Sequence, residues 1–68
     1  MIKVYFGNNK SKKYIGESNT ESGAFRIIEN YAKNVIGLQE VYYRFWHKDG
    51  TLVIDFGSHG NFFYLEHE

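Results

Sequence analysis

Cysteine and proline are both absent from this chain. Without cysteine there is no disulfide and no thiolate metal site. Without proline, every turn falls to Gly, Asn, Asp and Ser. Net charge is missing as well, because eight Lys and Arg balance eight Asp and Glu. That separates the chain from a typical duplex-DNA binder, which carries a basic footprint, and equally from an acidic DNA mimic. No apolar run approaches the ~20 residues of a membrane helix. Residues 1–6 lack the apolar stretch and small-residue cleavage site of a signal peptide. The expectation is a cytoplasmic protein without membrane contact.

What is present is aromatic. Sixty-eight residues allow one domain, residues 1–68. A domain this small buries only roughly 60% of its unfolded surface, and small scaffolds usually add a staple or a partner chain. Six Phe, six Tyr and one Trp offer another route, since each large ring can bury roughly 150–250 Å². A dense aromatic core and self-association are the two routes left.

Hydrophobic periodicity predicts the elements. Ile2, Val4 and Phe6 alternate with Lys3 and Tyr5, the pattern of a half-buried strand. A Gly-Asn-Asn-Lys-Ser turn follows at residues 7–11, then a weaker lysine-bearing strand over 12–17 that suits a sheet edge. Ser18 and Glu21 match a capping box, with Thr20 and Ser22 as rival caps. In the helix, Ala24, Phe25, Ile28, Tyr31, Ala32, Val35 and Ile36 share one half of the wheel. Glu29 precedes Lys33 by four residues, the favourable order for a surface pair. Gly37 sits where a left-handed cap belongs.

From residue 40 onward the chain reads as strand: 40–47, 51–57 and 61–67. The expected fold is α+β, in the order β-β-α-β-β-β. One amphipathic helix packs on one face of a mostly antiparallel sheet, and the last three strands form a meander.

Asp49-Gly50 between alternating runs is a strong hairpin signal. It sets Lys48 opposite Thr51, Trp46 opposite Val53, Phe45 opposite Ile54 and Arg44 opposite Asp55. A turn at His59 and Gly60 would set Gly57 opposite Phe62, Phe56 opposite Phe63, Asp55 opposite Tyr64 and Ile54 opposite Leu65. The helix-facing side then holds Val41, Tyr43, Phe45, Leu52, Ile54, Phe56, Phe63 and Leu65. The other side holds Tyr42, Arg44, Trp46, Val53, Asp55, Phe62, Tyr64 and Glu66. With one helix available, that second side has no obvious cover and should expose its rings around the Arg44–Asp55 pair. Apolar patches of this kind are often binding surfaces, and Trp, Tyr and Arg are frequent hot-spot residues.

The candidate binding residues are therefore Tyr42, Arg44, Trp46, Asp55, Phe62 and Tyr64. A protein partner, or a second copy of the chain, is the first reading. Aromatics that simply brace the sheet weigh about as much, because strands favour such residues anyway. Single-stranded nucleic acid stacked on the same rings is the alternative, with Lys10, Lys12 and Lys13 near the backbone, and zero net charge counts against it. His47 and His67, expected to flank Leu52 two strands apart, stand too far from each other to share a metal easily. Ser58, His59 and Asp55 lack the convergence a catalytic triad needs. No enzyme activity, cofactor or metal is expected.

The C-terminal segment carries a resemblance. The Trp46-containing strand, Asp49-Gly50, the run Ile54, Asp55, Phe56, Gly57, Ser58, His59, and the pair Phe62, Phe63 resemble small uncharacterised proteins encoded by phages and prophages of Gram-positive bacteria. The resemblance implies an accessory role in a bacterial host cell, binding a host or phage protein rather than turning over a substrate. Six Lys against two Arg, with frequent Asn, would suit a low-GC host.

Overall fold

Asp49 and Gly50 both adopt left-handed backbone, at φ 52° and 82°. That is the type I′ turn whose twist matches the strands on either side. The computed structural model describes residues 1–8, 10–37, 43–57 and 60–67. Within them run β1 (Ile2–Gly7), β2 (Lys12–Ser18), α1 (Glu21–Tyr31), β3 (Arg44–Lys48), β4 (Thr51–Asp55) and β5 (Phe62–His67). One helix packs on a five-stranded antiparallel sheet of order β2-β1-β5-β4-β3. The first and last strands thus meet in the middle, with Val4 opposite Leu65 and Phe6 opposite Phe63. No described helix is long and apolar enough to cross a membrane.

The β1–β2 hairpin depends on two residues. Asn8 accepts backbone N–H bonds from Lys10 and Ser11 through its side chain, each at 2.9 Å. Gly7 lies so close to the returning strand that a Cβ there would sit 2.1 Å from the Ser11 carbonyl oxygen. Farther along, a bulge shifts the register between Val4 and Tyr5. Val4 faces Gly16 and Tyr5 faces Tyr14, leaving Ile15 as the additional residue. Ile15 packs on the core. Gly16 leaves room for Ile27 of α1, whose carbons would lie 3.2 Å from a Cβ at that position.

Thr20, rather than Ser18, caps the helix: its hydroxyl accepts the Gly23 N–H at 3.1 Å. Ser18 is the last residue of β2 and accepts the Thr20 N–H instead, at 3.3 Å. The helix ends in a π-helical turn, Ala32–Ile36, closed by left-handed Gly37 at φ 87°. The wider winding turns Val35 outward, to 65% exposure, and packs Ile36 on the core. An uninterrupted α-helix would have buried Val35, as its spacing predicts. The buried core joins Ile2, Val4, Ala24, Ile28, Ala32, Ile54, Phe63 and Leu65. Phe63 is its largest member and touches the rings of Phe6, Tyr31 and Phe56 at 5.0–6.0 Å. Burying one such ring stabilises the fold by roughly 1.5–3 kcal/mol.

The β3–β4 register is the one the Asp-Gly turn predicts, including Arg44 opposite Asp55. The β4–β5 register differs by two residues: Ile54 faces Phe63, and Leu52 faces Leu65. The reason lies at Asp55. Its carboxylate accepts the Gly57 N–H at 2.8 Å, and Gly57 is left-handed at φ 96°. This Asx turn ends β4 early, so Phe56 and Gly57 belong to a longer loop and not to the strand. A shift of two preserves side-chain parity, so the two faces stay as expected. It does move Leu52 from His67 to Leu65, while His67 pairs with Ile2. The expected flanking of Leu52 by two histidines is therefore lost.

Candidate functional site

The face away from the helix is organised in rows, because directly opposed residues share a side of the sheet. One row crosses all five strands: Tyr14, Tyr5, Tyr64, Val53, Trp46. A parallel row carries alternating polarity: Glu17, Lys3, Glu66, Thr51, Lys48. A third places Lys12 and Phe62 on either side of Gly7. Rings link these rows edge to face. Tyr5 meets Tyr14 at 5.8 Å, Trp46 meets Phe62 at 6.0 Å, and Phe62 meets Tyr64 at 6.3 Å.

The centre of this face is not exposed as its lack of a helix suggests. Tyr64 is 3% exposed and Val53 is also buried. Long neighbours lie over them. Lys12 places its ammonium 4.4 Å from the centroid of the Tyr64 ring, a cation–π contact. Burial raises the Tyr64 phenol above its ordinary pKa. Trp46, on the edge strand, remains 42% exposed. Between these residues lies a groove of about 290 Å³, with Val53, Phe62 and Tyr64 below and Lys12, Trp46, Lys48, Asp49 and Thr51 around it.

The sequence-predicted residues separate into three kinds. Trp46, Phe62 and Tyr64 do come together on one groove, but Tyr64 is floor and not contact surface. Arg44 and Asp55 are opposed, yet their closest charged atoms are 3.9 Å apart and the Arg44 side chain is 85% exposed. An ion pair of that kind contributes roughly 0–1 kcal/mol. Asp55 acts chiefly as the turn acceptor for Gly57. Tyr42 lies outside the described residues, as do Val41, Ser58 and His59.

Residues missed by sequence reasoning are Tyr5, Tyr14 and Lys48, while Lys12, expected only as a backbone contact for nucleic acid, lies over the Tyr64 ring. Tyr5 could have been placed outward from its alternation with Val4 and Phe6. Its position beside Tyr64 could not, since that depends on β1 joining β5. Among the described residues no group of three or more His, Asp or Glu stands ready for a metal. Compared with protein-family models, curated proteins and solved structures, the chain matches none.

Proposed function

We propose that the chain acts by binding a protein partner through the groove on the open face, in an accessory and non-catalytic role. The observation behind this reading is the groove itself. An exposed indole stands over a floor of buried aromatic and aliphatic side chains, with lysines on its rim. Such a site suits an apolar side chain that inserts beside Trp46, followed by an acidic one that meets Lys12 or Lys48. Aromatic floors with a polar rim are the usual anatomy of an interface hot spot. The resemblance of residues 42–66 to small phage and prophage proteins fits the same accessory role.

Trp46 is the only tryptophan, so its emission reports on the groove directly. Peptides selected from a displayed library against the whole chain are expected to pair a bulky apolar residue with an acidic one and to quench that emission. Their affinity should fall only modestly with salt, as one screened ion pair allows, and should be lost in Trp46→Ala. Folding should lose less than about 1.5 kcal/mol, the worth of one aromatic pair. A larger loss would make Trp46 a folding residue and defeat the proposal. The lysine over the Tyr64 ring favours a second reading, single-stranded nucleic acid stacked on Trp46. Oligonucleotide binding that falls steeply with salt would put that reading in its place.

A further inference from the structure

The outer edge of β3 is a second feature, separate from the groove. The turn at Asp49-Gly50 makes Lys48 and Thr51 a hydrogen-bonded pair. Pairs alternate along an antiparallel ladder. Arg44, Trp46 and Lys48 therefore spend their backbone groups on β4, while Phe45 and His47 turn theirs toward the free edge. Among the described residues β3 is the last strand of the sheet, every residue in it is exposed, and Phe45 is 56% exposed on the helix side. An unpaired, regular strand with apolar side chains is a template for another strand.

We propose that this edge pairs with a second copy of the chain, antiparallel about a two-fold axis at Phe45, to form one ten-stranded sheet. The register follows from the side chains. Keeping both open faces on one side allows only pairings of like parity. Centring on Trp46 sets Arg44 against Lys48 of the partner twice, a like-charge contact that opposes pairing. Centring on His47 runs Phe45 into the partner's turn at Asp49. Centring on Phe45 sets Phe45 against Phe45 once, on the axis, and Arg44 against Trp46 twice by symmetry. Trp is the most favourable ring for a cation–π contact, and the Arg44 guanidinium is largely exposed, held only by a long 3.9 Å ion pair to Asp55 that it can keep or exchange. The pairing sets the outward-facing N–H and C=O of the two Phe45 residues against each other on the axis, and those of His47 against Tyr43 of the partner, the next residue of that alternation.

This inference does not rest on the groove. The chain has no cysteine, so single substitutions read the register without background. In the proposed register the two Phe45 Cα atoms are about 5.5 Å apart, inside disulfide reach. The two Trp46 positions are roughly 8 Å apart and the two His47 positions roughly 14 Å, both out of reach. Under mild oxidation, Phe45→Cys should cross-link and Trp46→Cys and His47→Cys should not. Light scattering of the unaltered chain should rise with concentration toward twice the 8.0 kDa chain mass. His47→Pro removes an outward N–H and no bond of the β3–β4 ladder. It should raise the dimer dissociation constant at least about tenfold with an unchanged far-ultraviolet spectrum. A monomer at every concentration overturns the proposal, and so does cross-linking preferred at Trp46 or His47. Association that survives His47→Pro and is lost in Trp46→Ala overturns it too, and moves the contact to the open face.

Discussion

Strand β2 carries a bulge, two lysines and a glycine that admits a helix side chain, whereas β3 at the opposite edge has a regular ladder, an exposed phenylalanine and an exposed tryptophan. Both are edges of the same sheet. The helix explains part of the contrast. It packs most closely on β1 and β2, where Ile27 meets Gly16, and meets β3 through Phe25, whose ring stands 5.7 Å from that of Phe45. Bulges and lysines are ways of discouraging a sheet from extending. β2 has both, while β3 has charges only at Arg44 and Lys48, its two ends. One edge is closed by its own sequence and the other is left available.

The most severe way to break this comparison is to open the closed edge. Gly7→Ala would drive a Cβ into the Ser11 carbonyl at a backbone position with φ 151°, and neither strand can withdraw without losing ladder bonds. The expected cost is about 2–3 kcal/mol, or a fall in Tm of more than about 10 °C for a domain this size. Hydrogen exchange should show β2 losing protection while β3 and β4 keep theirs. An alanine tolerated with no change in Tm would mean that the β1–β2 turn can open by an ångström at no cost, and would remove the constraint from the closed edge.

A smaller effect is expected at the open edge. Phe45→Ala removes one partly exposed ring and its contact with Phe25, worth about 0.5–1.5 kcal/mol. Phe63→Ala, by contrast, should cost about 3–5 kcal/mol, because Phe63 has no exposure at all. Urea denaturation of the two variants checks the ratio. Equal losses would place β3 under the helix as firmly as β5 and would cancel the asymmetry between the edges.

Much of this architecture is readable from local signals. Asp49-Gly50 fixes its own turn type, and with it the β3–β4 register and the opposition of Arg44 to Asp55. Period two in residues 2–6 and the spacing of Ala24, Ile28 and Ala32 identify the buried faces. What escapes reading depends on partners far away or on competition between neighbours. The seat of β1 beside β5 is a pairing across almost the whole chain, with no local mark. Ile15 bulges because Gly16 suits the helix, which is known only once the helix is docked. Val35 and Ile36 have similar periodicity, and a π-turn decides between them. Asp55 looked like half of an ion pair, but its nearer engagement is a backbone N–H two residues on. The aromatic face was legible as a set of residues. The burial of Tyr64 within it was not, because Lys12 comes from a strand whose place in the sheet was unknown.

The gentlest test of the two edges is alkaline titration. On β2, the Tyr14 hydroxyl donates to the Glu17 carboxylate at 2.5 Å. That bond holds the Tyr14 pKa above its ordinary value, assisted by burial and by the negative charge of Glu17. The folded state thus keeps this proton more tightly than the unfolded state. By linkage, the bond's contribution is complete below the ordinary tyrosine value of about 10 and is lost as pH rises through the higher folded value. β3 contains no tyrosine, so its edge should not respond in that way. The expected result is a small loss of thermal stability above about pH 10 that is reduced in Glu17→Gln, which removes the carboxylate charge, and in Tyr14→Phe, which removes the donor. A loss of the same size in both variants would assign the alkaline response to Tyr43 and Tyr64, whose phenols burial also raises, and would leave the closed edge without this contribution.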